Sequence, residues 1–259
     1  MKLHYREYGH YTGERPTLLL LHGLLGSSSN WHSIARRLEG AHHILVPDLR
    51  NHGRSPHAQR MDYPSLAGDL RELIDDQGLD TVIPVGHSMG GKVAMWLALF
   101  HPALVQALVV VDIAPVRYPN RFAPVYQALE GVDLTRVQNR READRALARW
   151  LPEEGLRQYL LQSLVKGGSG WYWRFNLQAL SEGMEAILDF PGEERVYPGP
   201  CLFIYGTASD YVTTDTQPAI RRQFPLARLR PVAGAGHWLY TEQPEAFLSA
   251  LSRFLDAQS

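Results

Sequence analysis

The chain has 259 residues, 45% of them hydrophobic and 20% charged, with a formal net charge of −1. That length buries a large core, either as one domain or as one domain carrying an insertion. The near-neutral balance leaves no basic footprint for nucleic acid or an anionic membrane surface, and the single cysteine, Cys201, excludes an intrachain disulfide.

The first eight residues, from Met1 to Tyr8, alternate like a strand and do not have the form of a signal peptide. No later apolar run approaches membrane-spanning length, so no membrane span and a cytoplasmic location are expected. Short apolar runs predict buried strands over 17–21, 44–47, 82–85, 107–111, 202–205 and 229–232. Helical patterns over 28–38, 63–77, 88–100, 214–224 and 244–255 separate most of them. Such alternation implies an α/β fold with a mainly parallel sheet covered on both faces, its functional groups gathered in loops at the carboxyl ends of the strands. The alternation breaks between about Val116 and Pro191, where helical patterns appear without a convincing strand. Residues 1–115 and 191–259 are therefore expected to form the core and 116–190 a helical cap over the site. Trp150, Trp171 and Trp173 lie in this insertion, either as its own small core or against substrate.

The motifs follow the same order. His22-Gly23-Leu24 closes the first buried strand, and Gly23 is expected to let the chain turn so that the Leu24 N–H faces the site. His42 and His43 begin the next strand and have no partner at metal-ligand spacing, so no metal is expected. His52, within Arg50-Asn51-His52-Gly53, suits fixing a loop better than acting as a base. Gly86-His87-Ser88-Met89-Gly90-Gly91 carries the most information: between a strand and a helix, Gly-x-Ser-x-Gly is the sharp turn that exposes a nucleophilic serine.

A serine hydroxyl needs a base, and the base needs an orienting acid. His237, in the small-residue loop Ala233-Gly234-Ala235-Gly236-His237-Trp238 before the last helix, is the best placed base of eleven histidines. Two aspartates compete for the acid. Asp112 ends the strand that follows the serine's helix. Asp210 lies in the loop after the 202–205 strand, one residue beyond the usual acid position, which Ser209 fills. Asp112 is the preferred candidate. The backbone N–H groups of Leu24 and Met89 are the expected oxyanion donors. Arg136, Arg140, Arg141, Arg145 and Arg149 crowd one stretch of the insertion, as a solvated face paired with Glu142 and Asp144 or as a site for the phosphates of a coenzyme A thioester.

With these residues in place, the chain resembles the α/β-hydrolase superfamily throughout its length. It looks most like small bacterial esterases and thioesterases related to the human mitochondrial α/β-hydrolase-domain protein. His22-Gly23-Leu24-Leu25-Gly26-Ser27, Asp48-Leu49-Arg50-Asn51-His52-Gly53-Arg54-Ser55-Pro56, Gly86-His87-Ser88-Met89-Gly90-Gly91-Lys92 and Val111-Asp112-Ile113-Ala114-Pro115 carry the likeness. Trp173-Arg174-Phe175-Asn176 and Gly234-Ala235-Gly236-His237-Trp238 add to it. The resemblance implies cleavage of short acyl esters, with acyl-CoA thioesters as a further substrate class, and it favours Asp112 as the acid. The expected enzyme is thus a cofactor-free serine esterase acting on a small-molecule ester through an acyl-enzyme. Rival readings on the same fold are a C–C bond hydrolase, a cofactor-free haloperoxidase, or a receptor that binds ligand and hydrolyses little. Nothing in the sequence bears on oligomeric state.

Overall fold

Every apolar run that predicts a strand forms one in the computed structural model, which describes residues 1–191 and 194–258. The chain begins with β1 (Tyr5–Tyr8), β2 (Thr17–Leu21), α1 (His32–Leu38), β3 (Ile44–Pro47) and α2 (Tyr63–Asp76). It continues with β4 (Val82–His87), α3 (Met89–Phe100) and β5 (Leu108–Val111). An insertion follows, comprising α4 (Ala123–Gly131), α5 (Arg140–Leu147), α6 (Glu154–Leu161), β6 (Leu164–Gly167), β7 (Gly170–Trp173), α7 (Leu177–Glu182) and α8 (Met184–Leu188). The chain then returns through β8 (Cys201–Gly206), α9 (Gln217–Gln223), β9 (Ala227–Val232), α10 (Leu239–Glu242) and α11 (Pro244–Asp256).

Among the described residues, the main sheet has seven strands in the order β1-β3-β2-β4-β5-β8-β9, with only β1 antiparallel to its neighbour. Its strands are continuous apolar runs because both faces are covered. In β2, Leu18 and Leu20 point to one face and join Trp31, Ile34, Phe247 and Leu251 of the α1 and α11 side. Leu19 and Leu21 point to the other and join Leu66, Leu70, Val93 and Leu97 of α2 and α3. Each of these fully buried leucines contributes on the order of 2 kcal/mol by leaving water. Local chemistry sets the helix ends. Asp62 caps α2 by accepting the Ser65 N–H at 2.8 Å, Pro64 stands in its first turn, and Gly78 at φ 61° follows its end. The stretch predicted as one helix over 28–38 is a single 3₁₀ turn, Ser28–Trp31, running into α1.

The structure corrects two expectations. The insertion is not wholly helical: β6 and β7 pair antiparallel, with Leu164 opposite Trp173 and Gly167 opposite Gly170. Gly168-Ser169 make the turn, and the valine and aromatic residues beside it favour a half-buried hairpin over a helix. His42 and His43 precede β3 rather than beginning it; the Glu7 carboxylate and the Thr17 hydroxyl hold the His43 ring at 3.0 and 2.8 Å. Among the described residues, no helix is long and apolar enough to cross a membrane.

Candidate active site

Strand register assembles the site. The pairs Gly86–Val110 and His87–Val111 align β4 with β5, so Ser88 and Asp112 leave adjacent strands side by side at their carboxyl ends. Both residues leave in the left-handed region, at φ 54° and 52°. A non-glycine residue there stores roughly 1–3 kcal/mol of strain, and the packing around the turn must hold it. A Cβ at Gly86 would stand 2.1 Å from the Gly90 carbonyl oxygen, and one at Gly90 would stand 2.5 Å from that of Leu21. Only glycine lets strand and helix close on Ser88 this tightly.

Asp112 is 1% exposed. Its Oδ2 accepts a hydrogen bond from His237 Nδ1 at 2.7 Å and another from the Ser209 hydroxyl at 2.5 Å. Its Oδ1 accepts from the Gly206 N–H at 3.1 Å. With Nδ1 committed as a donor to the carboxylate, Nε2 is the imidazole nitrogen left to exchange a proton. The Tyr211 ring stacks on His237, with centroids 4.1 Å apart and planes inclined by 21°. Glu242 fixes the loop carrying His237 by accepting the Gly236 and Trp238 N–H groups at 2.5 and 3.3 Å. Asp210 turns outward and pairs with Arg121, whose guanidinium holds the Asp210 carboxyl below its usual range. Ser88 and His237 face one cavity; among the described residues the Ser88 hydroxyl closes no hydrogen bond, the looser geometry common before substrate tightens a site.

Two buried histidines build the loop after β2. His22 Nδ1 donates to the Gly23 carbonyl at 2.8 Å, and its Nε2 accepts from the Leu49 N–H at 3.0 Å. His52 Nδ1 donates to the Arg50 carbonyl at 2.8 Å, and its Nε2 accepts from the Leu25 N–H at 3.1 Å. Each ring must be neutral to accept a backbone N–H. Burial holds both below the usual histidine range, His52 at about 3. Tyr159 and Ser163 grip the same loop from the insertion through the Leu24 and Leu25 carbonyls, each at 3.0 Å. The Leu24 and Met89 N–H groups donate to no protein acceptor among the described residues. Gly23 serves differently from the sequence expectation. The left-handed residue of the loop is Leu25, at φ 63°. A Cβ on Gly23 would stand 3.2 Å from His87 Nδ1 and 3.3 Å from the Ser88 Cβ, so Gly23 supplies room beside the serine rather than a turn.

Ser88 opens onto two cavities. A narrow one of about 50 Å³ runs past Met89, Lys92, Tyr118 and Ile187. A wider one of about 620 Å³ holds His237, Trp238, Tyr159 and Leu160. Trp150, Trp171 and Trp173 line neither: Trp171 and Trp173 pack against the core and Trp150 is exposed. Nor do the crowded arginines. Arg140 donates to the Leu164 carbonyl at 2.9 Å, Arg136 pairs with Asp133, and Arg149 falls beyond the end of α5. Asp144 pairs with Arg157 and Glu142 accepts from Gln138 and Asn139, so neither acid serves Arg141 or Arg145 as expected. Among the described residues, no three His, Cys, Asp or Glu side chains stand close enough to hold a metal ion.

Sequence reasoning assigned no role to Lys92 or Tyr211 and marked Ser209 only as the occupant of the usual acid position. The one usable signal was Lys92, the single charge in the apolar helix Met89–Phe100.

The chain matches the model of a family described as Alpha/beta hydrolase family over residues 18–250. It is 40% identical over 248 residues to the sn-1-specific diacylglycerol lipase ABHD11 of Mus musculus, covering 93% of this chain and 81% of the mouse protein. It is 39% identical over 242 residues to Esterase YbfF of Escherichia coli K12, covering 92% of each. A solved structure titled Marine microorganism esterase superposes with a TM-score of 0.92 at 37% identity, covering 98% of this chain and 99% of that one.

Proposed function

This chain belongs to the alpha/beta hydrolase family, and on that premise we propose that it hydrolyses carboxylic esters of short acyl chains through a covalent acyl-enzyme. The observation that carries the reading is the alignment of a strained, cavity-facing Ser88 beside the Asp112–His237 pair. In this reading Ser88 Oγ attacks the ester carbonyl while His237 Nε2 takes its proton. Asp112 holds the imidazole in the required tautomer and stabilises the imidazolium. The Leu24 and Met89 N–H groups receive the oxyanion. His237 then returns the proton to the departing alcohol, and water repeats the sequence to free the acid.

Because the alcohol must lie within reach of His237, it occupies the wider cavity, and the acyl chain enters the narrow one. The insertion 116–190 acts as a cap closing both. Oxygen esters are preferred to acyl-CoA thioesters, since the crowded arginines that would receive phosphates line neither cavity.

A fluorophosphonate probe with peptide mapping tests the nucleophile, and Ser88→Ala should abolish labelling and lower kcat by about 10⁶-fold. Labelling elsewhere, with Ser88 unmodified, ends the serine-hydrolase reading. A panel of esters from acetyl to hexadecanoyl tests the cavity. Butanoyl esters should turn over faster than hexadecanoyl esters at matched solubility. Acylation of Ser88 without turnover of any ester would favour a ligand-binding receptor instead.

A further inference from the structure

Lys92 is 2% exposed and stands one helical turn beyond Ser88 in α3. Its ammonium donates to three backbone carbonyls: Val116 at 2.8 Å, Leu188 at 2.8 Å and Asp189 at 3.0 Å. Val116 lies on the stem by which the chain enters the insertion, and Leu188 and Asp189 lie on the stem by which it returns. One side chain therefore joins both stems to the helix that carries the serine. Neighbouring contacts reinforce the joint. The Tyr118 N–H donates to Leu188 O at 3.0 Å, and the Tyr63 hydroxyl donates to Ile187 O at 2.5 Å. The Tyr118 and Tyr63 rings lie 4.9 and 5.9 Å from the ammonium.

The stems are also a wall of the narrow cavity: Tyr118, Pro119, Ile187 and Leu188 line it together with Lys92 and Ser88. A hydrophobic residue at position 92 would suit the apolar helix, but among the described residues it would leave the Val116 and Asp189 carbonyls without a donor and the Leu188 carbonyl with the Tyr118 N–H alone. We infer that Lys92 is a specificity-determining residue, which fixes the stems against α3 and so limits the acyl chain that the narrow cavity accepts. This rests on the reading of Ser88 as the nucleophile of an ester hydrolase.

The joint should respond to pH. Burial pulls the Lys92 ammonium down to about 7; the Asp189 carboxylate opposes that shift and the Arg117 guanidinium adds to it. Tyr63 and Tyr118 are the other titratable groups facing the ammonium, and burial raises both above their usual range. As pH rises through 7, Lys92 should pass from three donors to two, and one stem carbonyl lose the Lys92 bond.

The measurement is the ratio of kcat/KM for 4-nitrophenyl butanoate to that for 4-nitrophenyl octanoate. Taking a ratio cancels the ionisation of the free enzyme's catalytic groups. In Lys92→Met, confirmed as folded by circular dichroism, the ratio should fall at least about tenfold, chiefly through better use of the octanoyl ester. In the unmodified enzyme it should fall severalfold between pH 6 and pH 9, and in Lys92→Met it should stay flat. A folded Lys92→Met that keeps the wild-type ratio within twofold overturns the inference. So does a wild-type ratio that does not change with pH, a measurement that needs no variant to fold. Failure of the unmodified enzyme to cleave either ester would instead strike the underlying ester-hydrolase reading.

Discussion

Asp112 and Asp210 show what decides a role at the scale of one residue. Counting from Gly206 puts Asp210 one place from the usual acid position, yet counting says nothing about direction. Direction comes from the β5–β8 register: Val111 lies opposite Ile204, and the Asp112 N–H donates to Ile204 O at 2.9 Å. The Asp112 carboxylate is thereby held against His237, and Asp210 is left 60% exposed beside Arg121. Asp112→Asn should lose at least about two orders of magnitude in kcat, within the roughly 10⁴-fold scale known for an orienting acid, and Asp210→Asn less than about tenfold. Steady-state kinetics on folded variants checks this, and the reverse ranking would move the acid to Asp210. Ser88 and His237 were legible because their signal is local: glycines at fixed spacing, and a histidine in a small-residue loop. The contacts of Ser209, Tyr211 and Lys92 were not, because each acts on partners about twenty to a hundred positions away, at distances that only the folded sheet and stems create.

At the scale of elements, the apolar runs made the strands readable to within a residue or two, while the helices predicted over 28–38 and 214–224 begin three or four residues later, at His32 and Gln217. The β6–β7 hairpin escaped because its two strands are short and half exposed, so no buried run marks them. The loops after β2 and β3 show a different limit. His52 reads as a loop-fixing histidine, and so it is, but it works with His22 as a crossed pair. Each imidazole bonds a carbonyl of its own loop and a backbone N–H of the other, and the rings meet edge to face with centroids 5.0 Å apart. The backbone beside Leu24, the proposed oxyanion donor, is thus held at Leu25 by a side chain 27 positions away. His52→Leu would leave the Leu25 N–H without an acceptor and free the loop to shift. We expect kcat to fall about tenfold or more with KM little changed, as when an oxyanion donor is misaligned. A rise in KM at constant kcat would argue that the loop serves binding alone.

For the whole molecule, three fully buried imidazoles, those of His22, His52 and His87, are held below the usual histidine range, each chiefly by burial. In the unfolded chain each takes up a proton near pH 6.5; in the folded chain each resists. Their contribution is complete above pH 6.5 and declines as pH falls toward the folded values, by about 1.4 kcal/mol per pH unit for each group. Thermal unfolding should therefore shift to lower temperature between pH 7 and pH 5, and His52→Gln should shrink that shift. Equal midpoints at both pH values would show that the buried histidines are not coupled to folding. The main sheet carries one more consequence. Among the described residues it is open, so β1 and β9 each have a side with no neighbouring strand. Unpaired backbone at a sheet edge is a template on which another chain can add a strand. On β9, Arg228 and Arg230 are exposed and Pro231 offers no N–H; on β1, Arg6 and Glu7 stand at the rim. A second copy approaching β9 edge to edge would bring arginine against arginine and meet a gap in its hydrogen-bond ladder, so charge repulsion and a missing donor should disfavour growth into fibres along this edge.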